Sequence, residues 1–471
     1  MEYDLVIKGG RVATAETVFA ADIAISQGRI AAVGSGLTGT RSIDADGMIV
    51  TPGGVDPHCH IEQMSGMGLM NADTFETATR SAAMGGTTSV ISFAAQAKGQ
   101  RLSEAAADYA ARGARGAAID HAFHLILADT QAPDYEADLA SLIAQGHRSL
   151  KVFTTYNIGL DDGDILRALS IARDAGALTC IHAENDAIIA EARAHLLADG
   201  RTRPIDHAAS RPRAAEIEAV ARTCRLAEEA RAPVMIFHVS TAEAVAEIRA
   251  ARARGAPVWA ETCPHYLFQT EEVLDRPGLE GAKWMCSPPQ RTHADQEALW
   301  AGLARGDLQL VSSDHAPYRF DETGKLSGGP DAPFPAIANG MPGLEVRLPL
   351  MFDAMVSRGR LGLTKFVELT ATAPARLYGL ATKGHIAPGF DADLTLWDPS
   401  RTVTYGADDL HDNVGYNPWE GHGVTGWPVH VFLRGHRIVE NGTYQGAPGA
   451  GQWLHRATIG TEPRDITGRP K

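Results

Sequence analysis

Five short segments of this chain carry side chains that commonly bind metal ions. They are Val55-Asp56-Pro57-His58-Cys59-His60, Lys151-Val152-Phe153, Ile181-His182-Ala183-Glu184, Phe237-His238-Val239 and Ser313-Asp314-His315. Each segment follows or closes a short apolar, β-branched run. Imidazole and carboxylate groups gathered at one place suit a centre in which two cations activate a water molecule. The ordered series therefore predicts a binuclear metal site of hydrolytic type.

The pair His58 and His60 is spaced for one strand face. Residues two apart on a strand point to the same side, so one cation can take both rings while Cys59 faces away. Imidazole suits zinc, iron, copper or nickel. Taken alone, a His-x-His pair is weak and favours two polar residues at a strand end. Asp56, two residues earlier, could orient a ligand histidine.

His182 and His238 each end an apolar run, and Asp314 ends another. A single histidine in such a place is more often a hydrogen-bonded core residue than a ligand. Two of them on consecutive units, facing a site that already holds a histidine pair, favour the ligand interpretation. A carboxylate beside a metal stays ionised and can accept a proton from water, which is the role we predict for Asp314. Its alternative is a helix N-cap, which the following Pro317 disfavours.

Lys151 is the least obvious member of the set. Its ordinary pKa of about 10.4 makes a protonated amine a poor neighbour for two cations. The residue type and position alone favour an ion-pair partner.

The elements that must position these residues alternate between short apolar runs and Ala-, Glu- and Arg-rich helical stretches. Eight runs occur between about residues 52 and 380: Met48–Val55, Ser89–Phe93, Ala122–Leu127, Ser149–Phe153, Leu178–Ile181, Val234–Phe237, Val258–Glu261 and Leu310–Ser313. This alternation predicts an α/β fold with a closed (β/α)₈ barrel, whose reactive residues lie at the carboxyl ends of the strands. The candidate ligands end runs one, four, five, six and eight.

Both chain ends have a β texture. Residues 1–51 and 381–445 contain short strands and turns, among them a hairpin at Leu433-Arg434-Gly435-His436. We predict that they form one small β-sandwich domain beside the barrel of residues 52–380. Residues 446–471 begin Gly/Pro-rich and are predicted to be an extended arm, which either packs on a neighbouring subunit or frays.

Composition limits the classes of partner and location. The net charge of −14 disfavours nucleic acid and anionic membrane surfaces, and no apolar stretch approaches the length of a membrane span. The first residues lack the features of a secretory signal. Five scattered cysteines favour a reduced, cytoplasmic setting.

Several motifs together resemble the cyclic amidohydrolases known as dihydropyrimidinases and D-hydantoinases. The motifs are Gly53-Gly54-Val55-Asp56-Pro57-His58-Cys59-His60, Lys151-Val152-Phe153-Thr154-Thr155-Tyr156, His182-Ala183-Glu184-Asn185, Glu261-Thr262-Cys263-Pro264 and Ser287-Pro288-Pro289. The resemblance runs to about Gly451. It implies a metal-dependent barrel, usually tetrameric, that opens neutral cyclic amide rings, such as hydantoins and dihydropyrimidines, to N-carbamoyl amino acids.

The resemblance also implies roles for individual residues. His58, His60 and Asp314 would bind one divalent metal, with zinc favoured, and His182 and His238 would bind the other. Lys151 would bridge both as a CO₂-derived carbamate. Tyr156 would donate to the developing oxyanion, and Asp314 would carry the proton. Ser287 and Asn339 would hold the amide groups of the ring through backbone atoms.

Two departures bear on the substrate. The segment Ile61–Met70 lacks the Pro-Phe pair often found in the family, and its Met64, Met67, Leu69 and Met70 would make either a soft apolar wall for the ring substituent or a mobile loop without selectivity. Dihydroorotases, a related branch, have an arginine after the histidine pair that captures a carboxylate. Here Glu62 follows, which predicts a neutral ring.

Two other functions stay open from the sequence. The same site could hydrolyse allantoin, a cyclic imide or another neutral lactam. The chain could also be a non-catalytic assembly protein of the same fold, which the six filled ligand positions disfavour.

Overall fold

The structure is a computed structural model that describes residues 2–458. Its strands, in chain order β1 to β17, are Leu5–Ala13, Val18–Ser26, Arg29–Gly34, Ser42–Asp44, Ile49–Pro52, Gly54–Asp56, Thr87–Ala95, Asp120–Ile126, Ser149–Phe153, Leu178–His182, Val234–Ile236, Val258–Thr262, Leu310–Val311, Leu394–Thr404, Gly423–Leu433, His436–Glu440 and Thr443–Tyr444.

The α-helices, in chain order α1 to α13, are Phe75–Met84, Leu102–Gly116, Tyr135–Ala144, Asp162–Ala175, Asp186–Ala198, Pro204–Ser210, Arg213–Ala230, Ala242–Ala253, Pro264–Phe268, His293–Arg305, Arg347–Phe352, Leu363–Val367 and Ala373–Leu377. Short 3₁₀ segments are Glu271–Leu274, Glu280–Trp284 and Phe334–Ala336, and π-helical segments are Asp353–Ser357 and Glu368–Thr372.

Strands β6 to β13 form the barrel. Within residues 2–458 they make an eight-stranded sheet in which each strand pairs in parallel with the next along the chain. Where the eighth strand meets the first, Cys59 and His315 form a parallel bridge and the His60 N–H donates to the His315 carbonyl at 2.6 Å. The predicted (β/α)₈ architecture is confirmed.

The barrel interior is a packed core of side chains that alternate along each strand. On β9, Leu150 and Val152 pack outward against the helices, while Phe153 lies among the inner apolar residues. Because the side-chain period of a strand is two, Lys151 shares the inner face with Phe153. On β10 the same period places Cys180 and His182 inside.

The two chain ends form a second sheet. In the described chain, β1 to β5 and β14 to β17 make one nine-stranded mixed sheet around its own apolar core, as the sequence predicts. The predicted hairpin joins β15 to β16, and its central residues Arg434 and Gly435 have φ of 45° and 73°. Positive φ at both positions is the geometry of the tight turn that matches strand twist.

Gly53 marks the passage between the two sheets. The apolar run predicted as one strand divides into β5, which pairs with β14, and β6, which opens the barrel. A Cβ at Gly53 would lie 2.2 Å from the Thr88 hydroxyl, so only glycine permits this approach. The close contact lets one segment serve both domains.

The described part of the arm lies against the barrel of its own chain. The His121 N–H donates to the Gln452 carbonyl at 2.9 Å, and Leu454 returns a bond to His121 at 2.8 Å. Arg456 is fully buried, donating to the Phe123 carbonyl at 2.6 Å. Residues 446–458 are therefore not a frayed end, and residues 459–471 of the predicted arm lie outside the described residues. Among residues 2–458, no helix has the length and apolarity needed to cross a bilayer.

Candidate metal centre and active site

The first strand of the barrel presents the histidine pair. His58 Nδ1 lies 2.5 Å from Glu261 Oε1, and His58 Nε2 lies 2.9 Å from Asp314 Oδ1. His60 Nδ1 lies 2.8 Å from Gln63 Oε1, and its Nε2 is 3.4 Å from the same Asp314 oxygen. Each ring thus donates from Nδ1 to a neighbouring acceptor and turns the lone pair of Nε2 toward the site, as metal-binding histidines do.

His182 is oriented by a buried carboxylate. Its Nε2 lies 2.7 Å from Glu184 Oε2, and the same oxygen accepts from the guanidinium of Arg211. Burial alone would raise the Glu184 pKa, but Arg211 and His182 outweigh it and hold that pKa at about 2. The ionised carboxylate fixes the proton of His182 on Nε2. Nδ1 is then unprotonated, and its lone pair is available to bind a metal.

His238 and Asp314 reach the site through backbone strain. Strand alternation would place His238 outside the barrel beside Ile236, but its φ of +40° turns the ring inward, where it packs 4.4 Å from His182. Asp314 has a φ of +46°. Such conformations cost about 1–3 kcal/mol each and concentrate at functional sites.

Three of the six candidate ligands meet at one point of the described residues. Atoms of His58, His238 and Asp314 that can bind a metal all lie within 4.8 Å of one another. His238 Nδ1 is buried without a hydrogen-bond partner in the described chain. Burial would raise the Asp314 pKa, but His58 and His60 hold that pKa well below its usual range, so the carboxylate is ionised. Unpaired imidazole nitrogens beside an ionised carboxylate fit a divalent cation.

Lys151 lies deep in the same barrel mouth. It is 1% exposed, and its amine lies over the rings of Phe237, Phe153 and Phe93 at 4.0, 4.8 and 5.6 Å. No carboxylate in residues 2–458 forms an ion pair with it, so the predicted alternative of an ion-pair partner is not what the geometry shows. Burial lowers the Lys151 pKa to about 8, with Asp314 opposing the change.

Tyr156 borders the mouth, and Ser287 is its neighbour. Tyr156 has a φ of +70° and a ring 5.3 Å from His182, with the Arg211 guanidinium 5.0 Å above it. Burial raises the Tyr156 pKa, and Arg211 and the Ser287 hydroxyl oppose that rise, so Tyr156 and Ser287 are close neighbours. Within residues 2–458, the backbone N–H and C=O of Ser287 and Asn339 have no protein partner. They are free to bind a ligand.

The amidohydrolase family model matches residues 49–438 of this chain, which include every candidate ligand. The chain belongs to the amidohydrolase family.

Relatives of this amidohydrolase carry the names that the motifs predict. It is 44% identical to the D-hydantoinase of Rhizobium radiobacter over 459 residues, which cover 96% of this chain and 99% of the relative. The D-hydantoinase of Ralstonia pickettii is 42% identical over 458 residues, covering 96% and 99%. The crystal structure of dihydropyrimidinase from Brevibacillus agri NCHU1002 superposes with a TM-score of 0.93 at 40% identity, covering 97% and 99%. The predicted resemblance is confirmed.

Glu261 shapes this amidohydrolase site but was given no role in the sequence analysis. Glu261 binds the His58 ring, the task that Asp56 was predicted to perform. Asp56 instead accepts from the backbone N–H groups of His58 and Ser313, each at 3.2 Å, and pairs with buried Arg347 at 3.2 Å. A buried carboxylate that closes an apolar run was the available signal for Glu261.

The loop after the first strand is open. Met64, Met67 and Met70 are about half exposed at 51%, 47% and 43%, which leaves both predicted interpretations of the loop standing. The Glu62 carboxylate accepts from the Phe75 N–H at 2.8 Å at the start of α1. This bond leaves the carboxylate charged, so the predicted repulsion of an acidic substrate stays a prediction.

Proposed function

We propose that this amidohydrolase opens the amide bond of neutral cyclic rings, hydantoins and dihydropyrimidines, to give N-carbamoyl amino acids. The observation that carries the proposal is the convergence of His58, His238 and Asp314 within 4.8 Å, in a chain 44% identical to a D-hydantoinase over nearly its full length. The surrounding histidines and Lys151 complete the donor set that the family motifs predict.

Two divalent cations fit this donor set, with zinc favoured for a site of imidazole and oxygen ligands. His58, His60 and Asp314 would hold one, and His182 and His238 the other. When bound, the cations would supply the positive charge that activates water near neutral pH and polarises the substrate carbonyl. The acceptors Glu261, Gln63 and Glu184 keep three of the rings in the required tautomer.

Lys151 would bridge the two cations after its neutral amine adds to CO₂, forming a carbamate and releasing one proton. The physical support is the burial of an amine without a carboxylate partner. With a pKa of about 8, about a quarter of the side chain is neutral at pH 7.5, against about one part in a thousand for an ordinary lysine. The carbamate would supply a negative charge at a position where no carboxylate of the described residues pairs with Lys151.

The ring would be held by backbone groups. The free carbonyl of Ser287 would accept from a ring N–H, and the free N–H of Asn339 would donate to the ring carbonyl that is not attacked. The Tyr156 hydroxyl would donate to the oxygen of the attacked carbonyl as charge develops there. The Tyr156 ring centroid lies 5.3 Å from that of His182, which supports this role.

Asp314 would carry the proton. Its ionised carboxylate takes a proton from the attacking water as the C–O bond forms, and gives it to the ring nitrogen as the C–N bond breaks. The amide nitrogen therefore leaves neutral, and the product is the open N-carbamoyl acid. His58 Nε2 and His60 Nε2 lie 2.9 and 3.4 Å from the same Asp314 oxygen, so a cation held by these three residues would keep the carboxylate in place.

A substrate panel tests the proposal. Purified protein supplied with Zn²⁺ and bicarbonate is incubated with hydantoin, 5-substituted hydantoins, dihydrouracil, allantoin, a cyclic imide and dihydroorotate, and the ring-opened product of each is measured by chromatography. We expect turnover of the hydantoins or dihydrouracil and little of dihydroorotate. Preference for allantoin or the imide would move the assignment to that ring. No ring opening on any substrate would reject it.

The assembly and the location are proposals of the same kind. We propose a homo-oligomer, a tetramer by family resemblance, in the cytoplasm. All five cysteines are free and buried, which suits a reducing compartment. Light scattering on purified protein gives the oligomeric mass, and a monomer would contradict the first proposal.

A further inference from the structure

Lys325 is a buried lysine that the proposed reaction does not use. It lies in the loop after Asp314, is 0% exposed, and packs beside an apolar cluster that includes Met285 and Phe334. Its amine donates to the Ala338 carbonyl at 2.9 Å and to the Met285 carbonyl at 3.5 Å. No carboxylate within residues 2–458 pairs with it. Burying an amine without a counter-ion costs folding free energy, which suggests that Lys325 has a function here.

The two carbonyls belong to the two segments that would hold the substrate. Ala338 immediately precedes Asn339, and Met285 stands two residues before Ser287. The Met285 carbonyl also accepts from the Gly340 N–H at 2.8 Å. One amine thus joins both segments at the point where they pair, directly behind their free backbone groups.

The local backbone is shaped for this contact. A Cβ at Gly324 would lie 2.2 Å from the Arg319 carbonyl, and the Lys325 N–H donates to that same carbonyl at 2.8 Å. A Cβ at Gly340 would lie 2.1 Å from the Ala316 carbonyl. Two glycines therefore permit the close packing that brings the lysine loop against the Asn339 segment.

The contact with Ala338 also has an electronic consequence. The Ala338 carbonyl and the Asn339 N–H belong to one peptide group. An ammonium that bonds to the carbonyl draws electron density from the group and strengthens the N–H as a donor, as in any chain of hydrogen bonds. Burial lowers the Lys325 pKa to about 7, so the charged and neutral amine both occur near neutral pH; either form donates to these carbonyls, and the charged form polarises the peptide group more strongly. This Asn339 N–H has no acceptor within residues 2–458.

We propose that Lys325 is a positioning residue for substrate specificity: it aligns Ser287 and Asn339 and strengthens the Asn339 N–H toward the second carbonyl of the ring. This inference rests on the proposed function, since it assigns that N–H to the carbonyl that is not attacked. The substrate class then narrows to rings with a carbonyl at that position, cyclic ureides and imides, in preference to simple lactams.

The test removes the Lys325 amine by substitution and, separately, the oxygen acceptor of the ring by using a sulfur analogue. Lys325→Met is compared with the unaltered protein on hydantoin and on 2-thiohydantoin, whose sulfur is a poor hydrogen-bond acceptor. We expect kcat/KM to fall about tenfold on hydantoin and less than about threefold on the thio analogue, mostly through KM. The control is Leu274→Ala, which opens the same apolar cluster without touching either carbonyl, and which should affect both substrates equally. Metal content should stay unchanged in both variants.

A binding measurement separates this inference from the proposed function. Imidazolidin-2-one carries the same urea carbonyl but no hydrolysable amide, and imidazolidine-2-thione is its sulfur analogue. Ligand-observed NMR titrations give the Kd of each, and we expect Lys325→Met to weaken the oxygen ligand about tenfold and the sulfur ligand little. If Lys325→Met does not fold, Lys325→Gln, a neutral polar replacement, is used in the same comparison.

The outcomes are distinct. Failure of the unaltered protein to open any ring would reject the proposed function, and the titrations would still decide the role of Lys325. Equal loss on oxygen and sulfur ligands, no loss on either, loss of metal in the variant, or no binding of imidazolidin-2-one to the unaltered protein would each overturn the inference.

Discussion

Replacing Glu261 with glutamine separates the orientation of a ligand from its charge. Glu261 Oε1 lies 2.5 Å from His58 Nδ1, and both side chains are 1% exposed or less. Glutamine has the same shape and can still accept from that nitrogen, so the ring keeps its place. What the substitution removes is the negative charge that makes His58 a stronger donor to a cation.

The expected size follows from this contact. Altering the partner behind a metal-binding histidine weakens metal affinity by about 10–100-fold, or about 1.4–2.7 kcal/mol; because glutamine keeps the acceptor and loses only the charge, we expect the lower end of this range. The metal-free protein should not lose stability, because burial raises the Glu261 pKa and a neutral amide avoids that desolvation. Glu184→Gln offers a matched contrast. It makes the same chemical change but leaves buried Arg211 without its partner, which should destabilise the fold by about 3–5 kcal/mol.

Chelator competition gives the metal affinity of each variant, and urea denaturation of the metal-free proteins gives the free energy of unfolding. The reasoning predicts that both substitutions weaken metal binding and that only Glu184→Gln lowers stability. Unchanged metal affinity in Glu261→Gln would refute the role of Glu261. Equal loss of stability in both variants would show that the buried Arg211 beside Glu184 is not what makes that substitution destabilising.

Four other predictions follow from single contacts. Lys151→Ala should lose metal and activity, and short carboxylic acids should partly restore activity by filling the space beside Phe237; full activity without them would contradict a bridging carbamate. Reactivation of metal-free, CO₂-stripped protein at fixed dissolved CO₂, followed by activity, should quicken as pH rises through about 8, because the lowered Lys151 pKa makes the reactive neutral amine prevail above that value; a pH-independent rate would argue against it. Tyr156→Phe should lower kcat about 10²–10³-fold in steady-state assays, with metal content unchanged. Asp56→Asn should cost about 3–5 kcal/mol of unfolding free energy, because it leaves buried Arg347 unpaired. A loss below about 1 kcal/mol would contradict that pairing.

The sequence predicts the features that depend on local periodicity. The apolar runs locate the barrel strands because each run must fill one layer of a packed interior, and the period of two places Lys151 and His182 on the inner face. The turn at Arg434-Gly435 is local in part, since Gly435 readily takes the positive φ of a tight hairpin turn, whereas Arg434 takes it against its residue type. For these parts the chain carries the information within a few residues.

Other features depend on contacts between distant residues. Strand alternation points His238 outward, and only its left-handed backbone brings it in. Arg211 has no pattern that connects it to Glu184, and Arg456 reaches the barrel interior from the far end of the chain. These positions were missed because a buried charge is satisfied in three dimensions, which local spacing does not encode.

The central claim is that six side chains from five strand ends hold a pair of cations. The most direct measurement is a crystal structure with anomalous diffraction at the absorption edge of the bound metal. We expect two peaks enclosed by His58, His60, His182, His238 and Asp314, with density extending from the Lys151 amine between them. No peaks there, or peaks bound only by other residues, would contradict it.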